Sequence, residues 1–179
     1  MISFIANRPA LQIGRHQVID YDTLWLESAL SRAARAADIQ DFPFVDDIRN
    51  GIVQYLETKC PLRLLHLDDL YDRLRRMLVK IGCGHIADKL EPLAPPVTLS
   101  LHELAMRAGN GFELAFFESL RAELSELRAA GAEEIRFTGL RECVNVLRGS
   151  AKWDRGCERL LAEIKAFLAD WNDAALEAA

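Results

Sequence analysis

Three prolines within six residues divide the chain and limit what it can fold into. The run is Glu91-Pro92-Leu93-Ala94-Pro95-Pro96. Proline has no amide hydrogen to donate, so this run can continue neither a helix nor a central β-strand. We therefore predict that residues 91–96 form a stiff connector. It separates an N-terminal module over residues 1–92 from a C-terminal module over residues 97–179.

The N-terminal module shows apolar residues at helical spacing over most of its length. The strongest stripe contains Leu67, Leu70, Tyr71, Leu74, Leu78 and Ile81. Weaker stripes predict helices from Asp22 or Thr23 to about Ala37, from Asp41 to Cys60, and from His85 to Leu90. Ahead of these helices, short apolar segments flank Gly14 and predict a β-hairpin that bends there. The module is thus expected to be a hairpin followed by a small helical bundle.

The C-terminal module is predicted to be rich in helix, with one or two short strands. Val97, Leu99 and Leu101 alternate with polar residues and predict a short extended piece. Ser100 and Glu103 have the spacing of a capping box that begins a helix. Further elements are predicted as a helix over 112–130, a strand over 134–137, a helix that Thr138 caps and Gly149 ends, and a last helix over 152–176. The expected fold class is mainly α with a short β-hairpin and strands, or α+β.

Charge and hydropathy exclude several classes of protein. The chain of 179 residues holds 22 basic and 27 acidic residues, a net charge of −5, and this disfavours nonspecific binding to nucleic acid. No window holds 18 consecutive apolar residues, and residues 1–10 lack the cationic and long apolar regions of a secretory signal, so we expect a cytoplasmic protein without a membrane partner. A local basic cluster is formed by Arg73, Arg75, Arg76 and Lys80. We interpret it as a solvated helix face that pairs with neighbouring aspartates, with a phosphate-binding face as the alternative.

The usual catalytic and metal-binding motifs are missing from the sequence. It contains no phosphate-binding glycine loop and no nucleophile elbow. The segment from His102 to Met106 begins like a zinc-protease motif but has Met where the second His ligand belongs. Cys60, Cys83, Cys143 and Cys157 form no metal-ligand pattern, so we expect four reduced thiols and no metal site. These absences favour a protein that is not an enzyme.

The N-terminal module resembles an ATP-cone domain over about residues 10–93. The resemblance rests on Gly14-Arg15, Ile19-Asp20, Leu70-Tyr71 and the segment Ile86-Ala87-Asp88-Lys89-Leu90. ATP-cone domains consist of a short hairpin and a helical bundle, and they bind ATP or dATP as a regulator. The resemblance implies a nucleotide site on Arg8, Arg15 and Lys89. The Lys-Arg pair that precedes the glycine in that family falls on Leu11-Gln12 here.

Three functions follow from the sequence. The first is a non-catalytic regulatory or adaptor protein that acts through a protein partner or through self-association into a homo-oligomer. Trp153 and Trp171 are the candidate interface residues of the last helix. The alternative is a regulatory protein that senses ATP or dATP. The second alternative is an enzyme with an unrecognised active site between the two halves, for which Cys83 and His85 are candidates.

Overall fold

The computed structural model describes residues 8–149 and 152–177, with side chains described as far as residue 172. Over these residues the chain forms eight helices and five short strands. The prediction of a mainly α fold with short strands is thus confirmed.

The described residues pack as two compact units. The first unit contains residues up to Val97 together with Glu126–Ile135, and the second contains Thr98–Ser125 and the residues from Arg136 onward. The sequence assigns residues 126–135 to the C-terminal module. In the structure, Leu127 and Ala132 are buried in the hydrophobic core of the first unit, which explains the difference.

A three-stranded sheet lies at the start of the first unit. Its strands are β1 (Ala10–Ile13), β2 (His16–Val18) and β3 (Leu64–His66), in the order β2-β1-β3. The predicted hairpin is β1 and β2, which pair antiparallel through a turn where Gly14 has φ +55°. Strand β3 pairs parallel with β1 and places Leu65 beside Leu11. The sequence does not predict β3, because its partner strand β1 lies more than fifty residues earlier and no short turn joins the two.

Four helices complete the first unit. They are α1 (Leu24–Ala36), α2 (Val45–Thr58), α3 (Leu67–Lys80) and α4 (Gly84–Ala87). Helix α2 begins at Val45, later than the predicted Asp41, after a turn that includes Pro43. The α3 stripe is buried from Leu67 to Leu78. Its last predicted member, Ile81, is 54% exposed because α3 ends one residue earlier.

The proline-rich run is packed into the core of the first unit. Residues 91–96 form no helix or strand, as their prolines require, yet Leu93 and Ala94 are buried. The Tyr71 hydroxyl, itself inaccessible to solvent, donates to the Leu93 carbonyl at 2.7 Å and accepts from the Leu93 amide at 2.9 Å. The Ala94 amide donates to the Gly131 carbonyl at 2.8 Å. These bonds satisfy backbone groups that regular structure would otherwise pair.

The remaining elements follow residue 96. They are β4 (Val97–Ser100), α5 (Leu101–Ala108), α6 (Glu113–Ala129), β5 (Ile135–Thr138), α7 (Leu140–Arg148) and α8 (Arg155–Glu177). Strands β4 and β5 pair, and α7 packs against α5 and α8. The predicted capping box is confirmed, since the Ser100 hydroxyl accepts from the Glu103 amide at 3.3 Å. The predicted cap at Thr138 is wrong. Thr138 ends β5, and Gly139, with φ +70°, precedes α7 instead.

We expect Tyr71→Phe to lower the free energy of unfolding by about 2–3 kcal/mol, because it leaves the buried amide and carbonyl of Leu93 without their partner. Urea denaturation measures the change. Tyr55→Phe is the matched control. Its hydroxyl bonds the exposed Arg73, so its loss should cost less than about 0.5 kcal/mol. Equal effects of the two variants would contradict the role given to Tyr71.

Candidate functional site

The sequence-predicted nucleotide residues lie in the first unit, and two of them are engaged by carboxylates. The Arg8 guanidinium contacts Glu57 of α2 at 2.7 Å and donates to the Tyr21 carbonyl at 3.2 Å. Arg15, just after the β-hairpin glycine, contacts Glu126 of α6 at 2.7 Å. Lys89 is exposed beyond the end of α4.

Arg8 and Arg15 thus bind different carboxylates on different helices. The Arg15 guanidinium lowers the pKa of the Glu126 carboxyl below its usual value, as an ion pair should. A triphosphate needs charge-assisted hydrogen bonds from several cations at once. It would have to displace Glu57 from Arg8 and Glu126 from Arg15 to take over the groups that these arginines use in their ion pairs.

The two tryptophans of the predicted interface are both half-buried. Trp153 lies before α8, not on it as predicted, because that helix begins at Arg155. The Arg141 guanidinium lies over the Trp153 ring, 4.7 Å from its centroid. Trp171 is on α8. The interface role of both residues stays a prediction.

The cysteines are free thiols, as the sequence predicts, and Cys143 and Cys157 are fully buried. Within residues 8–149 and 152–177, no three metal-ligating side chains come together in a way that could hold an ion. Across the same residues, no helix has the length and apolar character needed to span a membrane.

An apolar groove opens between α2 and α3, with a volume of about 330 Å³. Its lining consists of Gly51, Ile52 and Tyr55 of α2 and Leu70, Arg73, Leu74 and Met77 of α3. The polar groups of this lining are the Tyr55 hydroxyl and the Arg73 guanidinium, and they hydrogen-bond to each other. The guanidinium also lies 5.9 Å from the centroid of the Tyr55 ring. The α2/α3 groove therefore offers aliphatic and aromatic surface beside a positive charge.

Gly51 is the one helix-interior glycine on the wall of this groove. A Cβ atom built on it meets nothing within 4 Å, and its backbone does not have the positive φ that favours glycine. Glycine inside a helix costs about 0.5–1 kcal/mol relative to alanine. The packing of the described residues does not require this glycine, which leaves the α2 backbone open to close approach from outside.

The basic cluster of α3 divides into two parts. Arg75 donates to the Asp72 carboxylate at 3.0 Å and to the Leu90 carbonyl at 2.9 Å, which is the self-paired arrangement expected from the sequence. Arg76 donates instead to the Asp72 carbonyl at 3.1 Å. Because that acceptor carries no net charge, the positive charge of Arg76 is not neutralised by it.

A second, more polar cavity of about 310 Å³ lies along α1. It is lined by Leu24, Glu27, Ser28, Ser31, Arg32 and Arg35. Glu27 is bonded to Arg49 at 2.6 Å, and Arg32 donates to Glu133 at 2.8 Å. Its charged groups are thus largely paired within the chain.

No family model, no curated protein and no solved structure matches this chain. The α2/α3 groove is the site that sequence reasoning missed. Ile52, Leu70 and Leu74 lie on apolar helical stripes and are buried in the core, and the periodic pattern does not show that α2 and α3 leave a space between them. The available signal was Gly51, a glycine inside a strong helical pattern.

We expect ATP and dATP at millimolar concentration to produce no adenine-selective rise in Tm, because Arg8 and Arg15 are held by Glu57 and Glu126. A thermal-shift series with ATP, dATP, ADP and GTP measures this. A rise that is specific for adenine nucleotides and abolished by Arg15→Ala would contradict the expectation and support nucleotide sensing.

We expect Gly51→Ala to raise the free energy of unfolding by about 0.5–1 kcal/mol, because the added methyl group meets open space and the helical backbone suits alanine. Gly82→Ala is the matched control. Position 82 also has open space, but its φ of +84° strains any side chain, so this variant should be destabilised. Urea denaturation of both variants tests the opposite signs, and a destabilised Gly51→Ala would contradict our account of the groove.

Proposed function

We propose that this chain is a non-catalytic regulatory or adaptor protein whose first unit docks a protein partner in the α2/α3 groove. The observation that carries the proposal is an open apolar groove whose α2 wall contains a glycine that the fold does not need. In this proposal the hairpin and bundle, the features that resemble an ATP-cone module, serve as the scaffold that holds the two walls.

The composition of the lining supports a protein ligand over a small molecule. Small-molecule sites combine enclosure with several polar groups that orient the ligand. Here the lining polar groups, on Tyr55 and Arg73, already bond to each other. Protein interfaces use apolar pockets of this kind to receive one or two aliphatic or aromatic anchors.

The same lining supports a role without catalysis. A nucleophile or a general base must lie within hydrogen-bond reach of a positioned partner. The groove presents aliphatic carbons, a methionine, a phenol and a guanidinium, which bind surface and do not supply such a pair.

We expect Met77→Glu to abolish docking, because it places a carboxylate in the apolar floor of the groove. The probe is a phage-displayed library of helix-forming peptides selected on the wild-type chain. Selected peptides should bind Met77→Glu at least about tenfold more weakly. Gly51→Leu, which fills the groove without a charge, should have the same effect. Val79→Glu is the matched control, since Val79 is 59% exposed and does not line the groove.

Two results would overturn the proposal. The first is a selection that yields no peptide whose binding depends on Met77. The second is a wild-type homodimer, seen by light scattering, that Met77→Glu dissociates, because the groove would then serve self-association. Circular dichroism of each variant confirms that it is folded.

A further inference from the structure

We infer that the docking segment of the partner is an amphipathic helix with an acidic polar face. This inference rests on the proposed function, because it specifies what occupies the α2/α3 groove. It follows from the charge along the edge of the groove, from the helical nature of both walls and from the space at Gly51.

The α3 edge of the groove is basic. Arg73, Arg76 and Lys80 follow one another at spacings of three and four, so they share one face of α3. Arg73 belongs to the lining itself, and Arg76 and Lys80 are exposed. Asp69 lies on the same edge in the first turn of α3, and Asp72, four residues before Arg76, has its carboxylate paired with Arg75. The excess of positive charge is therefore carried by the middle and the end of α3.

The α2 edge does not balance this charge. Helical spacing from Gly51 places Gln54 and Thr58 on that edge, and both are uncharged. Asp47 lies on the same edge in the first turn of α2, where a carboxylate favours the helix dipole. The whole chain has a net charge of −5, so the positive charge along this edge of the groove is opposite in sign to the net charge of the molecule.

The basic residues of the edge are not neutralised within the chain. Arg8, Arg15 and Arg32 each form an ion pair with a glutamate. In the part of the chain that the structure describes, neither Arg76 nor Lys80 has a carboxylate within 4.0 Å. Their charges remain available to an acidic ligand, and complementary charge sets both partner choice and association rate.

A helix fits this groove better than an extended strand. A strand binds by pairing with the backbone of an exposed sheet edge, whereas both walls here are helices with internally paired backbones. The lining of α3 extends from Leu70 to Met77, which is about 10 Å along its axis. Leu70 and Leu74 form the buried base of the groove, whereas Tyr55 and Met77 are half-buried, so the partner helix would place its anchors against Tyr55 and Met77. Gly51 would allow its backbone to approach α2 closely.

The inference is tested with three stapled helical peptides of about 18 residues. All three carry the same leucines on one face and an alanine to lie against Gly51, and their polar faces are Glu, Gln or Lys. Fluorescence anisotropy with the full chain gives Kd at low and high salt. The Glu peptide should bind at least about tenfold more tightly than the Lys peptide, and salt should weaken the Glu peptide selectively.

The double variant Arg76→Glu/Lys80→Glu should reverse the order, so that the Lys peptide binds most tightly. Arg35→Glu/Arg63→Glu is the matched control, because it makes the same change in net charge at exposed positions outside the groove lining and should keep the order. Gly51→Ala should weaken the Glu peptide while leaving the chain folded.

The outcomes separate this inference from the proposed function. If the three peptides bind equally and all lose affinity to Met77→Glu, the acidic partner is overturned and the groove is retained. If the Lys peptide binds wild type most tightly, the acidic partner is also overturned. If no peptide binds with dependence on Met77, the proposed function is overturned as well.

Discussion

The hydroxyl group of Tyr71 is the contact on which the first unit depends. It joins α3 to the proline-rich run by bonding both backbone groups of Leu93 inside an apolar core. A run with three prolines cannot pair its own backbone regularly, so a side chain has to do it. Burial raises the pKa of this phenol above its usual value, so the hydroxyl stays protonated and able to donate in alkaline solution as well as at neutral pH.

This contact also positions the groove. Tyr71 and Leu78 fix one face of α3 in the core, and Arg73 and Met77 are thereby placed on the adjoining face. Helix α2 packs against α1, and its buried residues are Ile48, Ile52 and Leu56. The two helices are thus held by different neighbours, and the space between them is not filled by a side chain at Gly51.

Apolar periodicity in the sequence predicts the long helices well and the short strands poorly. The apolar stripe of α3 is strong because five of its residues are buried on one face. The capping box at Ser100 correctly predicts the start of α5. The sequence pattern does not predict strand β3, because this strand pairs with β1, which lies more than fifty residues earlier in the chain. The predicted cap before α7 is wrong because Thr138 belongs to β5 and Gly139, in the left-handed conformation, precedes the helix instead.

The site was harder to predict than the fold, and the reason is distance along the chain. Arg15 looks like an available cation in sequence, but its partner Glu126 is 111 residues away. Arg76, by contrast, looks self-paired beside Asp72, and in the structure that carboxylate is bonded to Arg75. The pairing of each arginine with a carboxylate therefore depends on the folded structure, and it cannot be predicted from neighbouring residues in the sequence.

The placement of the thiols has a consequence for how local opening of the molecule can be observed. Cys60 and Cys83 belong to the first unit and are half-buried, whereas Cys143 and Cys157 belong to the second unit and are inaccessible. Burial raises the pKa of Cys143 to about 12, so its reactive thiolate is scarce at neutral pH as well as shielded. Alkylation of these two cysteines requires the second unit to open. The rate at which an alkylating reagent modifies Cys143 and Cys157 therefore reports how often the second unit opens, and no introduced probe is needed.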